Sequence, residues 1–552
     1  MEGALTVTTL LKRTGPGRVA GPAHAAVIAT LALLSPLPAQ AAGAAGPLTV
    51  QADQTGAVIQ RDVFGQFAEH IGQGIYGGVW VGPDSTIPNV RGLRSDVVGA
   101  LRAIQVPVVR WPGGCFADKY HWRNGIGPAD QRPVTLNSIW GGALEPNTFG
   151  TDEFLDFARQ IGAEAYISVN VGSGTVGEAA NWLEYMTVDQ PTSLGKERVA
   201  NGNPEPFSIK YIGMGNEMWG CGAAMSADAY VDTLKQYVMH VDSRHPEQID
   251  PALLQRSPKG ALRVAVGDGG NGYGYTEAIM KAWAKRDPWF WTIEGISMHH
   301  YTWGESMMRS LATGFGEKEY AGLLHETLEM EDLIAERAAI MDQYDPEKKV
   351  ALVVDEWGVW LKPLPDLHPM FLKQQNSLRD GIAAAMNLNI FARHAARVRM
   401  TNIAQMVNVL QAMILTDGEK MLLTPTYHVF KLYVPFQDAE FLPIDFDPGE
   451  YEFDDIELPQ VDAIAARGKD GKVWLALTNL DPSRAAEVAT SVAGATASGA
   501  VGEVLTAERI DSINTFEAPD AVAPKPIRFQ AVDGKLVLQL PPKSITVVRL
   551  EP

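Results

Sequence analysis

The stretch at residues 208–222 reads SIKYIGMGNEMWGCG. Its apolar run at residues 211–214 predicts a short buried strand. Asn216 and Glu217 follow a single glycine at the point where that strand ends. In an α/β barrel, side chains at the C-terminal ends of the strands face the mouth of the active site. We therefore expect Glu217 to face a cleft.

A second stretch has the same form. Residues 350–354 (VALVV) predict another buried strand, and Asp355 and Glu356 follow it. Two carboxylates on two strand ends of one barrel would face the same cleft, and paired carboxylates are the usual equipment for hydrolysis of a glycosidic bond. The alternative for each glutamate is a surface salt bridge at a strand end. The presence of both Glu217 and Glu356 in such positions favours the catalytic interpretation.

Strand and helix patterns alternate from about residue 62 onwards. The predicted strands are 64–69, 107–111, 165–171, 210–215, 263–267, 295–299, 350–354 and 400–407. The predicted helices are 95–104, 152–161, 177–186, 227–243, 275–285, 323–344 and 377–394. Eight strands with intervening helices predict an α/β fold of the (β/α)8 TIM-barrel type. The alternative, a doubly wound open sheet, would usually carry a Gly-rich phosphate loop after its first strand, and the sequence has none.

The sequence pattern changes after about residue 437. Residues 62–437 are therefore predicted to form the catalytic barrel, and residues 438–552 a C-terminal all-β sandwich. Residues 438–457 hold nine acids and no Lys or Arg, so we expect a solvated connector there, with a calcium site as the alternative. The Lys-Asp-Gly sequence at residues 469–471 predicts a hairpin turn. Two short strands are predicted within residues 48–61, before the barrel.

Residues 1–41 have the pattern of a signal peptide. Three basic residues precede an uncharged apolar run at residues 25–34, and Ala-Gln-Ala at residues 39–41 has the form of a cleavage site. A membrane anchor is the alternative, but about ten apolar residues are too few to span a bilayer. We therefore expect a secreted or periplasmic protein that has no membrane partner after cleavage.

The chain has 552 residues and a formal net charge of -19 at pH 7. No nucleic-acid partner is expected, because binding to a phosphate backbone requires a basic surface. Two cysteines, Cys115 and Cys221, are too few for a disulfide scaffold, but they could form a single bridge. Both follow predicted strand ends, so they could lie near each other, and the sequence leaves their pairing open.

His299 and His300 raise the hypothesis of a metal site. Adjacent residues of a strand point to opposite faces, so the two imidazoles would not chelate one ion together. The sequence also lacks a His-Glu-x-x-His motif, a cysteine pair at zinc spacing and a Gly-x-Ser-x-Gly elbow. We therefore expect neither a metal nor a cofactor.

Further polar residues recur at predicted strand ends. Glu69 ends the first strand and Arg110 the second, while Tyr301 follows the sixth and Gln405 lies on the eighth. Arg110 could orient a catalytic carboxylate and help to keep a nucleophile ionised. Each residue alone is weak evidence, but their recurrence at strand after strand indicates a polar pocket at the barrel mouth.

Six motifs resemble those of glycoside hydrolase family 51, the α-L-arabinofuranosidases. The motifs are FGQFAEHIGQGIYGGVW (64–80), RWPGGCFADKYHW (110–122), FGTDEFLDF (149–157), YIGMGNEMWGCG (211–222), VDEWGVW (354–360) and NIAQMVN (402–408). They occur in the family's order, and the resemblance runs from about residue 48 to the C-terminus, where LPPKS (540–544) is also typical.

The resemblance implies a clan A barrel with a C-terminal β-sandwich that the N-terminal strands join. It also implies a retaining, exo-acting α-L-arabinofuranosidase that releases terminal arabinofuranosyl residues from hemicellulose or arabino-oligosaccharides without a cofactor. Glu217 would be the general acid/base and Glu356 the nucleophile. Other residues match positions that line the furanose pocket, namely Glu69, Arg110, Cys115, Asn216, Tyr301 and Gln405. Trp140 and Trp360 resemble aromatic residues on the leaving-group side, and a homo-oligomer is expected from the family.

Trp219 departs from the commonest family pattern, because many members carry Asp at this position. A subset of the family does show Trp-Gly-Cys-Gly, so the departure concerns the acceptor side rather than the presence of activity. Two alternative functions stay open. A clan A hydrolase that cuts β-linked glucans or xylosides would use the same two carboxylates, and only a substrate panel separates it. A non-catalytic carbohydrate-binding barrel would lack one of them.

Overall fold

A computed structural model describes residues 45–250, 255–257, 259–270 and 272–551 of the chain. The predicted signal peptide, residues 1–41, lies outside the described residues. The described residues belong to one compact unit. Among them, no helix combines the length and the apolar character that crossing a membrane requires.

Eight parallel strands close into a barrel, which confirms the predicted fold class. In sequence order they are Gly65–Phe67, Val108–Trp111, Glu164–Val169, Tyr211–Met214, Leu262–Ala265, Gly295–Thr302, Ala351–Val359 and Val398–Ile403, and the spatial order around the barrel is the same. The residues that fill one layer of its interior include Val108, Tyr166, Val264, Val353 and Met400. Because all eight strands run in the same direction, their C-terminal ends meet at one rim of the barrel.

Nine α-helices lie in the described parts of the chain. They are α1 (Ser95–Ala103), α2 (Thr151–Ile161), α3 (Val176–Thr187), α4 (Ser193–Ala200), α5 (Ala227–His240), α6 (Tyr275–Ala284), α7 (Glu317–Tyr344), α8 (Leu378–Arg393) and α9 (Pro425–Leu432). Seven of them correspond to predicted helices. The two that the sequence analysis missed, α4 and α9, are eight residues long each, which is too short for a clear helical periodicity. Short 3-10 turns occur at Arg61–Phe64, Ala117–Lys119, Trp122–Gly125, Ala129–Gln131, Pro369–Phe371 and Val434–Phe436.

The sixth and seventh barrel strands extend further towards the rim than predicted. The seventh runs through Glu356 to Val359, and the sixth includes Tyr301, which was expected to follow it. The register of their pairing shifts between Ser297 and His299, and that of the seventh and eighth strands shifts between Val354 and Trp357. Such irregularities re-aim side chains, and they lie here next to His299 and around Glu356.

Two further sheets form a β-sandwich. The seven-stranded sheet has the order Val58–Ile59, Ala439–Leu442, Val461–Arg467, Val473–Asn479, Ser544–Glu551, Gly499–Leu505 and Lys525–Gln530. The four-stranded sheet has the order Ile444–Phe446, Leu48–Val50, Ala486–Val492 and Leu536–Leu540. Both N-terminal strands thus pair with C-terminal ones, and a second apolar core that includes Leu48, Leu475 and Leu538 packs together. The predicted hairpin at residues 469–471 is confirmed, since Arg467 pairs with Val473.

The prediction of a solvated connector at residues 438–457 is wrong. The segment contains three strands, of which Glu450–Phe453 pairs with Ile456–Pro459 as a hairpin. Its acids alternate with apolar residues, as in the exposed Glu450 and the buried Tyr451. Side chains of a strand alternate between its two faces, so acids at every second position can all face solvent. A high density of charge therefore did not by itself indicate a loop.

Four short two-stranded ribbons complete the described secondary structure. They are Asn89–Val90 with Leu93–Arg94, Thr135–Asn137 with Ala143–Glu145, Ile249–Asp250 with Gln255–Arg256, and Ile414–Asp417 with Lys420–Leu423. Helices α7 and α8 connect the barrel to the sandwich. The Tyr320 hydroxyl of α7 donates to the Leu480 carbonyl at 2.8 Å, and Asn389 of α8 donates to Asp462 at 2.8 Å.

Candidate active site

Glu217 and Glu356 lie close together at the rim of the barrel. Glu217 follows the fourth strand, and Glu356 lies within the seventh. A carboxylate oxygen of each and one imidazole nitrogen of His299 all lie within 4.8 Å of one another. The Glu217 side chain is 19% exposed and that of Glu356 is 11% exposed, so both carboxylates are reachable from the same cleft.

Both oxygens of Glu356 are held by donors. Arg110 Nη1 donates to Oε2 at 2.9 Å, and the Tyr301 hydroxyl donates to Oε1 at 2.8 Å. Arg110 is fully buried and its guanidinium lies 4.5 Å from the centroid of the Phe67 ring. Arg110 and Tyr301 therefore fix the orientation of the Glu356 carboxylate.

Asn216 is held in place by the same arginine and by a buried aspartate. Its Oδ1 accepts from Arg110 Nη2 at 2.5 Å, and its backbone N–H donates to Asp118 Oδ2 at 2.9 Å. The other oxygen of Asp118 accepts from the backbone N–H groups of Val171 and Gly172, both at 2.8 Å. Asp118 therefore joins the loops after the second, third and fourth strands. It lies in the quoted RWPGGCFAD motif, but the sequence carried no signal of this role.

Glu69 is fully buried next to Trp140, which lines the cleft. Its Oε1 accepts from Trp140 Nε1 and from the Phe116 backbone N–H, both at 2.9 Å, and its Oε2 accepts from Gln405 Nε2 at 3.2 Å. Burial, together with the negative charge of Glu356, raises the pKa of Glu69 to about 7.

The close approach of Glu69 explains one glycine of the WPGG sequence. A Cβ at Gly113 would lie 2.6 Å from Glu69 Cγ, so no larger residue fits there without a shift. The turn that the sequence indicated thus also makes room for a side chain of the pocket.

His299 and Asp355 take part in the site, although the sequence analysis did not place them there. His299 Nδ1 lies 2.9 Å from Glu217 Oε1, and its Nε2 lies 3.1 Å from Asp355 Oδ1. Burial lowers the pKa of His299, but the charge of Glu356 and the hydrogen bonds to Asp355 and Glu217 outweigh it and raise that pKa to about 10. The imidazole is therefore a cation at neutral pH and donates to both carboxylates.

Asp355 was missed because it is adjacent to Glu356, and alternation along a strand would direct the two side chains to opposite faces. Both nevertheless contact Arg110, since Asp355 Oδ2 lies 3.6 Å from Arg110 Nε. The Tyr166 hydroxyl donates to Asp355 at 2.7 Å. The register shift between Val354 and Trp357 accompanies this break in alternation.

Glu217, His299 and Glu356 also form a group of the size that could hold a metal ion. Both nitrogens of His299 already lie within hydrogen-bonding distance of a carboxylate, one of Glu217 and the other of Asp355. The expectation that the protein needs no metal stays a prediction.

Cys115 and Cys221 form a disulfide bridge, which resolves the pairing that the sequence left open. Their Cα atoms are 5.5 Å apart, and the bridge joins the loop after the second strand to the loop after the fourth. Cys115 lines the cleft, and Cys221 Sγ lies 3.5 Å from Glu217 Oε2. The bridge therefore forms part of the wall next to Glu217.

The cleft has a volume of about 600 Å³ and is rich in aromatic side chains. Trp140, Tyr301 and Trp360 line it together with the two glutamates. The rings of Tyr301 and Trp360 meet edge to face with centroids 5.0 Å apart. Of the residues that the sequence singled out, six line the cleft, namely Cys115, Trp140, Glu217, Tyr301, Glu356 and Trp360. The other four, Glu69, Arg110, Asn216 and Gln405, are buried and contact these residues or one another.

Comparison with known proteins agrees with this geometry. The α-L-arabinofuranosidase 1 domain matches residues 100–310, and the α-L-arabinofuranosidase C-terminal domain matches residues 355–544. The intracellular exo-α-L-arabinofuranosidase of Bacteroides ovatus is 42% identical over 507 residues, which are 91% of this chain and 95% of the relative. The chain belongs to the α-L-arabinofuranosidases of glycoside hydrolase family 51.

Solved structures of family 51 enzymes share the whole fold. The arabinofuranosidase of Xanthomonas axonopodis pv. citri is 48% identical with a TM-score of 0.86, over 92% of this chain and 99% of that one. The α-L-arabinofuranosidase of Thermotoga maritima, solved with arabinose, is 30% identical with a TM-score of 0.78, over 92% of this chain and 100% of that one. A barrel with a C-terminal β domain is therefore the family 51 architecture of this chain.

The predicted secreted or periplasmic location is wrong. The family 51 relative from Bacteroides ovatus, at 42% identity, is an intracellular enzyme. The prediction depended on an apolar run that follows basic residues, and this is a compositional pattern that an N-terminal extension of another kind can share. The homo-oligomer and the absence of a membrane partner stay predictions.

Proposed function

We propose that this family 51 enzyme is a retaining, exo-acting α-L-arabinofuranosidase. It releases terminal arabinofuranosyl residues from arabinose-containing hemicellulose or arabino-oligosaccharides. The retaining mechanism is inferred from one distance, since a carboxylate oxygen of Glu217 lies within 4.8 Å of one of Glu356. Retaining glycosidases hold their carboxyl groups about 5–5.5 Å apart, whereas inverting ones leave about 6.5–9.5 Å for a water.

In the first step Glu356 is the nucleophile. Arg110 and Tyr301 each hold one of its oxygens, so the carboxylate is fixed in orientation before the sugar arrives. It attacks C1 of the arabinofuranosyl unit and forms a glycosyl ester, while the bond from C1 to the leaving oxygen breaks. Glu217 donates its proton to that oxygen, so the aglycone leaves as a neutral alcohol.

In the second step Glu217, now a carboxylate, removes a proton from water. The resulting hydroxide attacks C1, the ester bond to Glu356 breaks, and arabinose leaves with its original anomeric configuration. The imidazolium of His299 donates to Glu217 Oε1, which leaves Oε2 as the oxygen that carries the transferred proton.

Exo action would follow from a closed inner end of the site. Glu69, Arg110 and Gln405 are each at most 2% exposed, and we place the terminal arabinofuranosyl unit against this enclosed side. Glu69, Asn216 and Gln405 supply the oxygen and N–H groups that bind the furanose hydroxyls. Cys115 lines the furanose pocket, and Trp140 and Trp360 shape the wall towards the leaving group.

The test is hydrolysis of matched nitrophenyl glycosides, namely the α-L-arabinofuranoside, the β-D-xylopyranoside and the β-D-glucopyranoside. We expect activity on the arabinofuranoside and its loss in Glu356→Ala. Glu217→Ala should retain much more activity on a nitrophenyl leaving group than on an alkyl one, because only the alkyl oxygen needs a proton. Equal losses on both would contradict the acid/base role.

The alternative of a β-glycan-cleaving enzyme is not favoured. A bifunctional glucanase-xylanase, CelM2, has a TM-score of 0.56 at 14% identity, and this likeness shows the fold alone. A folded protein that leaves the arabinofuranoside intact but cuts the glucoside or a glucan would overturn the proposed substrate. Both carboxylates are present, which argues against a barrel that only binds carbohydrate.

A further inference from the structure

The cleft continues outwards from Glu217 along a pair of stacked aromatic rings. Trp219 and Tyr273 lie with ring centroids 4.5 Å apart and planes at 14°. Trp219 is two residues after Glu217, and Tyr273 precedes helix α6. Both rings line the same cleft as the two glutamates. The Trp219 loop also carries Asn216 and Cys221, whereas the Tyr273 loop carries none of the residues expected in the furanose pocket.

The Trp219 ring is held in one position. Its indole N–H donates to the Gly267 carbonyl at 3.1 Å. The ring also packs against Gly269, where an added Cβ would lie 2.8 Å from Trp219 Cζ2. Tyr273 is 45% exposed, so the outer part of this pair is open to solvent. A rigid, half-exposed aromatic surface next to the general acid is suited to the apolar face of a sugar ring.

Apolar side chains from other loops line the same cleft. Trp303 and Met307 follow the sixth strand and are 38% and 43% exposed, and Leu333 lies on α7. We define the aglycone platform as Trp219, Tyr273 and Trp303. Aromatic rings that line a cleft continuous with a catalytic site favour a bound ligand there, and the group next to Glu217 in the reaction is the leaving group.

The charges of this region indicate an uncharged occupant. Glu326, Glu329 and Asp332 of α7 line the cleft, and no Lys or Arg is among its described lining residues. The two oxygens of Glu326 accept from the backbone N–H groups of Trp303 and Gly304, so this acid also fixes the Trp303 loop. Glu329 and Asp332 are exposed and can accept from sugar hydroxyls, whereas a carboxylated sugar would be repelled.

We infer that the aglycone platform is a subsite for a neutral sugar ring of the leaving group and that it determines which arabinosylated chains are cut. The inference rests on the proposed function and adds a specificity site to it. It assigns a role to Trp219, the residue at which the chain departs from the common family pattern.

The experiment compares two substrates whose arabinofuranosyl unit is identical. Methyl α-L-arabinofuranoside has a one-carbon aglycone that cannot reach the platform, and an arabinosylated xylotriose has a neutral pyranose aglycone that can. We measure the ratio of kcat/KM for the xylotriose to that for the methyl glycoside. Tyr273→Ala should lower the ratio about three- to tenfold, because it removes one ring of the stack.

Two control variants make the comparison specific. Tyr273→Phe retains the ring and should retain the ratio. Trp289→Ala removes a 72% exposed tryptophan that does not line the cleft, and it should also leave the ratio unchanged. An unchanged ratio in Tyr273→Ala would overturn the inference. A wild-type protein that cleaves neither substrate would instead overturn the proposed function, so the two failures are distinguishable.

The charge of the occupant is tested with a third substrate, an arabinosylated xylotriose that carries a glucuronic acid. The wild-type enzyme should cleave it more slowly than the neutral xylotriose, and Glu329→Gln with Asp332→Asn should narrow the difference. Equal rates in the wild-type enzyme would contradict the selection of an uncharged ring.

Discussion

The carboxyl group of Glu69 should make the stability of the protein depend on pH in a defined direction. Its pKa rises from an ordinary value of 4.5 to about 7 because it is buried next to Glu356. Between these two values the folded protein holds a proton that the unfolded chain has lost. The free energy of unfolding must therefore fall as the pH rises from about 4.5 to about 7. Below about pH 4.5 Glu69 is protonated in both states and does not change the free energy of unfolding with pH. Above about pH 7 it is ionised in both states, and the loss of stability is complete.

The magnitude follows from the two pKa values. A difference of about 2.5 between them corresponds to about 3 kcal/mol, since one pKa unit is worth about 1.4 kcal/mol. For a chain of 552 residues the entropy of unfolding is about 1 kcal/mol per degree, so this free energy amounts to about 3 °C in Tm. Glu69→Gln removes the titration and retains the shape of the side chain, and the Gln405 amide can rotate to face the new amide.

The assay is the Tm of the wild-type protein and of Glu69→Gln from pH 4.5 to pH 8 at one heating rate. The Tm of the variant minus that of the wild type should increase by about 3 °C up to pH 7 and then stay constant. Glu503→Gln, at an exposed position of the sandwich, is the matched control and should give no such trend. A difference that is independent of pH, or that decreases as pH rises, would refute the reasoning about burial and charge.

Two other predictions concern the same cleft. Tyr301→Phe removes the donor to Glu356 Oε1 and should lower kcat/KM roughly 10- to 100-fold, because a hydrogen bond to a charged group is worth about 1.5–3 kcal/mol; a change of less than threefold would exclude a positioning role for the hydroxyl. Reduction of the Cys115–Cys221 bridge, which closes 106 residues of chain, should destabilise the protein by about 4–5 kcal/mol and lower its Tm by about 4 °C. An unchanged Tm after thiol titration has shown both sulfurs free would contradict this estimate.

Much of the site was accessible from the sequence because its residues follow short, strongly apolar strands. Glu217 and Glu356 were identified from such strand ends, and Arg110 from the turn sequence that follows it. The barrel strands and long helices were predicted for the same reason, since their hydrophobic periodicity is local. The acidic strands at 438–457 were misjudged because their charge was weighed without their alternation.

His299 and Asp355 could not be found in this way. Their roles depend on register shifts that re-aim two neighbouring side chains of a strand, and nothing local in the sequence indicates where a register shifts. Asp118 was missed for a related reason, because its partners are backbone groups of three different loops. A sequence pattern indicates where side chains lie, but it seldom indicates which backbone N–H groups need a hydrogen-bond acceptor.

The amino-acid sequence by itself determined the barrel, the two carboxylates predicted to be catalytic and most of the residues around them, because strand ends and turn chemistry are properties of short segments. Only the tertiary structure decided how those segments meet. The 2.9 Å contact of His299 with Glu217, the pairing of Cys115 with Cys221 and the stacking of Trp219 on Tyr273 all join residues of different loops. Such contacts exist only once the eight strands have closed, since closure is what brings the loops of one rim within a few ångströms of each other.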